Sequence, residues 1–147
     1  MYPFGHFGLA YFYVIILSYF VKEDYTILLV FLVSVLPDFD FLFVPFITHR
    51  GPTHSIVVMV LLFFPIYIFF KQGLSYFVAV LSHSLIGDYI TAYGVKLFWP
   101  LTNEFYLAPR PFQINGYNLV LIEGFLLFLM IIHYVYKNRV ILYETTR

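Results

Sequence analysis

His6, Asp38, Asp40, His54 and Asp88, with His49 and His83 close by, are the residues best suited to chemistry in this chain. Imidazole and carboxylate bind zinc, manganese and iron, and an open position on such an ion can activate water. Their setting gives them weight. The chain is 62% hydrophobic and 11% charged. An ionisable group at membrane depth is costly, so each one is a functional-site candidate. There is no cysteine, which excludes thiolate metal sites, disulfides and cysteine nucleophiles.

Three local patterns carry these residues. Leu36-Pro37-Asp38-Phe39-Asp40 sets two carboxylates two residues apart, just after a helix break. They are either metal ligands or caps of the next turn. His49-Arg50-Gly51-Pro52-Thr53-His54-Ser55 is more specific. Pro52 suits the first position of a helix and Gly51 its N-cap. His54 then falls at the third position, where the positive helix end keeps imidazole neutral, as a ligand must be. Arg50 has the fork geometry for carboxylate or phosphate. The alternative makes His49 and Arg50 an anchor at the membrane edge and His54 a cap. The third pattern is Ser82-His83-Ser84-Leu85-Ile86-Gly87-Asp88. At 100° per residue, His83 and Asp88 are about 140° apart on a regular helix. Both can serve one ion only if the helix departs from α geometry. An i→i+5 hydrogen bond or a break within Ser84–Gly87 is the expected departure, eased by Gly87.

These patterns need elements to hold them. Mean hydropathy is +0.87. This apolar surface needs lipid as solvent. Five apolar segments are expected as helices: Phe4–Val21, Thr26–Leu36, Ser55–Phe70, Leu74–Ala92 and Asn118–Tyr136. The second is short, about 16 Å as helix, or half the hydrocarbon core. Pro37 disfavours helix at Leu36. Asp38 and Asp40 are therefore expected in a break at membrane depth, with the apolar stretch 41–47 re-entrant or interfacial. If all five segments cross, His6, Asp38, His54, His83, Asp88 and Glu123 share one layer, roughly 15–25 Å above the connectors at the opposite face. Glu123 is open to three roles: ligand, partner of a histidine, or partner of Arg50. His133, near the other end, reads as a boundary residue. The connection 93–117 is long and aromatic, with Trp99, Phe105, Tyr106 and Phe112. Loops of this length are functional or disordered, and aromatic content argues against disorder. It is expected to form an interfacial lid, with Lys96 and Arg110 either attracting an anionic head group or snorkelling to the interface.

Taken together, the early His6, Leu-Pro-Asp-x-Asp at 36–40, His-Arg-Gly-x-Thr-His-Ser at 49–55, Ser-His with a trailing Asp-x-x-Thr at 82–91, and Gly-Val with a trailing Trp-Pro at 94–100 resemble the membrane-bound metal-dependent hydrolase family. Its members are also described as LexA-binding, inner-membrane-associated hydrolases. The likeness spans most of the first hundred residues. It implies a small polytopic protein with a divalent-metal site, and more loosely a likeness to zinc-dependent phospholipase C. It gives the ligand role to His6, Asp38, Asp40, His49, His54, His83 and Asp88. The chain departs from the family where one extra residue separates His83 from Asp88.

The expectation is thus an all-α membrane protein. Residues 1–147 form one polytopic domain, a bundle of about five transmembrane helices with a broken second helix and a long interfacial loop. The expected function is metal-dependent hydrolysis of a phosphoester or other bond in a lipid or amphiphile. Zinc is the leading ion, with manganese or iron next, and one or two ions are expected. Asp40, His49 and Arg50 are the candidate catalytic residues, with Arg50 expected to hold the phosphate. The alternative is a non-enzymatic membrane protein with a structural or transported metal. The apolar lower half of each helix disfavours transport. Zero net charge with neutral histidines gives no reason to expect nucleic acid. Lys22, Lys71, Lys137, Arg139 and Arg147 on one face outnumber Arg50, Lys96 and Arg110 on the other. This places the first face in the cytoplasm and the site outside.

Overall fold

The computed structural model describes residues 2–43, 46–70, 73–114 and 116–145. Val44 and Pro45 of the expected re-entrant stretch, and Lys71 and Arg147 of the charge count, lie outside the described residues. Among those described there are five α-helices: α1 (Pro3–Ser18), α2 (Ile27–Val35), α3 (Ile56–Phe70), α4 (Leu74–Ser82) and α5 (Gly116–Thr145). Pairing between strands is confined there to two isolated bridges, Thr91 with Ile114 and Val95 with Tyr106.

The five apolar segments are the five helices. Only one of them, over Gly116–Arg139, is both long and apolar enough to cross a membrane by itself. Pro3–Ser18, Ile56–Pro65 and Leu74–Asp88 are apolar but shorter. The outer surface is apolar nonetheless: Leu61, Leu62, Phe125 and Phe128 are all more than half exposed. A surface of this kind suits lipid better than water.

Helix α1 is the centre of the bundle, packed against α2, α4 and α5. Its core partners are small or branched. Ala10 and Val14 meet Val30 of α2 and Ala79 of α4, with Phe7 and Tyr76 alongside. Gly8 lets α1 approach α5 closely, since a Cβ there would lie 3.0 Å from the Cβ of Leu126. Two further contacts show that α1 and α5 run in the same direction. The backbone N–H of Tyr2 donates to Glu123 at 2.7 Å, and the Tyr11 hydroxyl meets His133 Nδ1 at 2.8 Å. Glu123 therefore holds the start of α1, not a site histidine or Arg50. His133 is a helix-pairing residue.

At the lower end, Glu23 closes the bundle. Its carboxylate accepts the backbone N–H groups of Gly73, Leu74 and Ser75 and the Ser75 hydroxyl. These donors are the open first turn of α4, where a negative charge is favoured. Burial pushes the Glu23 carboxyl up, but the hydrogen bonds outweigh it and hold the group below its ordinary value.

The upper end is where regular helix stops. After Val35 the chain tightens into a 3-10 helix over Leu36–Phe43. Leu36 itself stays in the right-handed helical region, contrary to the expectation from Pro37. The bias before proline is overcome here, and Pro37 and Asp40 end up buried. Pro52–His54 is a separate 3-10 turn, with Gly51 before it and Pro52 first, as its sequence suggests. It does not continue into α3, because Ser55 is extended. The Ser55 hydroxyl accepts the Val57 N–H at 3.2 Å and restarts the helix. Beyond Ser82, α4 widens into a π-helix over His83–Asp88, with Tyr89 N–H bonded to the Ser84 carbonyl. The expected i→i+5 turn is present.

The connection after α4 is ordered. Val95 and Tyr106 exchange backbone hydrogen bonds, Lys96 N–H donates to the Arg50 carbonyl, and Ile56 N–H donates to Leu97. It straps the upper ends of α3 and α4 together. The Lys96 ammonium lies 5.2 Å from the centre of the Phe105 ring.

Candidate metal centre

Four elements bring His6, Asp38, His54, His83 and Asp88 to one place. His6 comes from α1, Asp38 from the 3-10 helix after α2, His54 from the turn before α3, and His83 and Asp88 from the two ends of the π-helix. All three histidines and Asp88 are buried. Asp38 is the member open to the outside, with 27% of its side chain exposed.

The distances form a pattern. His54 Nε2 lies 3.4 Å from Asp38 Oδ1, 3.2 Å from Asp88 Oδ2 and 3.1 Å from His83 Nε2. His83 Nε2 is 3.5 Å from each of the same carboxylate oxygens. Four ligands about 2.0–2.1 Å from a tetrahedral centre stand roughly 3.4 Å apart. The five edges just given are those of such a tetrahedron, and all four atoms lie within 4.8 Å of one another.

The outward sides of the two rings explain what faces inward. His83 Nδ1 is 2.7 Å from the Ser34 carbonyl, which only accepts, so the ring donates there. His54 Nδ1 is 3.0 Å from the Thr53 hydroxyl oxygen, whose own proton goes to Asp40 Oδ2, so the ring donates to Thr53 with Asp40 Oδ2 3.3 Å away. A neutral ring protonated at Nδ1 carries its lone pair on Nε2. Two nitrogen lone pairs and two carboxylates thus point at one another within a buried space. Protons or a metal ion must relieve that repulsion. This arrangement, with a partner fixing the far nitrogen of each ring, is the one that metal-ligating histidines adopt.

His6 completes the wall. Its Nε2 is 3.6 Å from Asp88 and 3.9 Å from Asp38, and its ring stacks on His83 at 3.5 Å. Neither ring nitrogen has a hydrogen-bond partner although the side chain is fully buried. A buried donor left this way is costly unless another ligand takes it. The residues present therefore fit a bound divalent ion.

Asp40 and His49 stand one ring away. Asp40 Oδ1 meets His49 Nδ1 at 2.7 Å, and Oδ2 accepts from the Thr53 hydroxyl at 2.9 Å and from Arg50 N–H at 3.1 Å. Asp40, His49 and His54 form a second group with ligand atoms within 4.8 Å. Arg50 is turned inward. It bonds Asp88 at 3.1 Å and the Thr91 hydroxyl at 2.7 Å, and lies over the Tyr93 ring. Its backbone has φ 61°, which presents both the amide and the guanidinium to the site. In this position it is already paired with a carboxylate, Asp88, whereas the hydrolase expectation has it holding the substrate phosphate. Lys96 and Arg110 belong to the strap.

Two contributors went unassigned in the sequence. Thr91 was inside a quoted motif, and its spacing from Asp88 was the available signal. The Ser34 carbonyl is backbone, and residue identity carries no signal for it. No curated protein and no solved structure matches the chain. The family model described as YdjM inner membrane protein matches residues 1–144. With nearly its whole length covered, this chain belongs to the YdjM inner membrane protein family.

Proposed function

We propose that this protein is a multi-pass membrane hydrolase that uses a divalent metal, zinc first among candidates, on a phosphoester or other bond of a lipid or amphiphile. The observation that carries the reading is the tetrahedron of His54, His83, Asp38 and Asp88, with buried His6 beside it making no hydrogen bond. An ion bound there would supply Lewis acidity and lower the pKa of a bound water. The chain's own residues have distinct parts. Asp40, through Thr53, and the Ser34 carbonyl hold His54 and His83 with Nε2 inward. His49, 39% exposed and oriented by Asp40, faces the outside with its other nitrogen and suits a general base. Arg50 balances the charge of Asp88. Asp38 is the exposed corner through which a substrate would enter. In this reading the short helices cross a locally thinned bilayer or tilt little, five crossings place the centre on the extracytoplasmic side, and Lys22, Lys137 and Arg139 lie in the cytoplasm.

A second reading has specific support. Four protein ligands close a tetrahedron, and a closed site is the mark of structural zinc. The second group of Asp40, His49 and His54 adds a third option, two ions sharing His54. One experiment separates these. Purified protein is assayed for metal content, then for hydrolysis of a p-nitrophenyl phosphodiester and a phospholipid panel. Bound zinc with metal-dependent release of product supports the hydrolase. Bound zinc with no turnover, and a melting temperature that falls on chelation, supports the structural reading. Two ions per chain support the shared site. No bound metal overturns all three.

A further inference from the structure

Beside the centre lies a cavity of about 360 Å³ that the proposed chemistry does not use. Its walls are apolar: Pro37 and Phe43 from the 3-10 helix, Val58, Met59 and Phe63 from α3, and Trp99 from the strap. Its polar lining comes from Asp40 and Thr53. Those two residues are bonded to each other, and both contact His54 Nδ1, whose other nitrogen points into the centre. Cavity and centre are therefore one imidazole ring apart. Phe39, Phe43 and Leu62 also line the cavity and are more than half exposed, so it opens on the outer apolar surface. The size suits a ligand pocket, and a site with one polar end orients what it holds.

We infer that this slot holds one alkyl chain of the substrate, entering from the lipid side and lying along α3, so that the adjoining head group is delivered to the metal centre. The inference rests on the hydrolase reading and names the substrate class: an amphiphile recognised by a straight apolar tail. Water-soluble head-group analogues lack the tail and gain nothing from the slot. A methylene moved from water to an apolar site is worth about fourfold in affinity.

Trp99 makes the inference testable, because it is the only tryptophan in the chain and lines the slot. Bromine quenches indole emission at contact distance. Full-length protein in detergent is titrated with 12-bromododecyl phosphate and, separately, with 12-bromododecanol. Both should quench Trp99 saturably. Val58→Phe fills the slot and should abolish the saturable component. Leu61→Phe, one turn position away and facing outward, should leave it unchanged; retained metal content shows that both variants are folded. Quenching that is unsaturable, or equal in the two variants, overturns the slot. The head group is read independently. With zinc present, the phosphate should half-saturate at lower concentration than the alcohol, and Asp38→Asn should erase that difference while leaving chain binding intact. Equal affinity of the two probes with saturable, Val58-sensitive quenching removes the head-group link and the hydrolase reading while the slot stands. Zinc-dependent retention of dodecyl phosphate over dodecanol in equilibrium dialysis, without saturable quenching, does the reverse.

Discussion

The upper layer and α5 are built from the same apolar residue types, yet they end differently. Helix α5 runs 30 residues without a break, and its one acidic residue near the site end, Glu123, holds Tyr2. Every element that gives the centre a residue after α1 departs from α geometry: a 3-10 helix at Asp38, a 3-10 turn at His54, a π-helix at His83 and Asp88. A regular helix shows each side chain at 100° from the last and cannot gather four ligands around a point from so few positions. The irregular turns perform that gathering. They leave backbone groups outside the regular ladder, which in a membrane must be answered by protein. The Leu97 carbonyl, taken by Ile56 N–H and the Ser55 hydroxyl, is one such answer.

The largest contrast should come from the ligands. Removing His54 or Asp88, as His54→Ala or Asp88→Asn, should reduce zinc affinity by more than about 100-fold, beyond the usual loss for a supporting partner. Phe128→Ala on the exposed face of α5 should not alter it. Metal analysis after dialysis decides this. Equal loss in both would mean that the protein only needs to be folded.

Acid is the next lever. Both histidines and both carboxylates must be deprotonated to bind, so protons compete for every ligand. Zinc occupancy should be high at neutral pH and fall steeply through mildly acidic pH. Occupancy flat across that range would dissolve the distinction between this layer and a surface carboxylate cluster.

A smaller effect is expected one ring out. Asp40→Asn leaves the tetrahedron whole but weakens the acceptor for the Thr53 hydroxyl that holds His54 Nδ1. Zinc affinity should drop about 10–100-fold. A loss as large as that of Asp88→Asn would instead make Asp40 a ligand.

Deleting Ser84 sharpens the point about geometry. The π-helix absorbs one residue, so its removal should return the segment to α-helix and set the histidine and aspartate four apart on one face. Zinc affinity should change by less than about tenfold, a bound set by keeping all four ligands. Complete loss would show that the downstream register, through Thr91 and Arg50, depends on the wider turn.

The smallest effect belongs to the lower end. Glu23→Gln should cost about 1–3 kcal/mol of stability at neutral pH, the worth of charged hydrogen bonds to a helix start. The Glu23 carboxyl is held below its ordinary value in the folded protein. Its contribution is therefore full above the unfolded value of about 4.3 and disappears as pH falls through the folded one. Melting curves of the two proteins should converge in acid. A gap that persists there would assign the effect to packing.

The sequence shows the centre more clearly than the scaffold. Asp38, His83 and Asp88 stand out because each is an ionisable residue in an apolar stretch, and His54 because it follows a Gly-Pro helix start. The odd spacing of His83 and Asp88 implies the π-helix by angle alone. Glu123 has the same signal and a different role, because polarity in an apolar segment does not say which neighbour answers it. The capping of α4 by Glu23 was invisible, since it joins residues about fifty positions apart that sequence reads as two polar connectors. The number of crossings is legible only as apolar length, and among the described residues only α5 turns that length into a helix long enough to cross by itself.

That capping bond also has a consequence in time. Synthesis proceeds from the N-terminus, so the hairpin of α1 and α2 emerges with its carboxylate waiting. The first turn of α4 would then meet its cap as it emerges, ahead of the rest of the helix. Its far end then carries His83 and Asp88 toward His6 and Asp38, already on the earlier hairpin. Glu23 would thus set the registration of the nascent chain long before any ligand exists to reward it. Ribosome-stalled chains long enough for α4 to clear the exit tunnel would show this as delayed protease protection of α4 in Glu23→Gln.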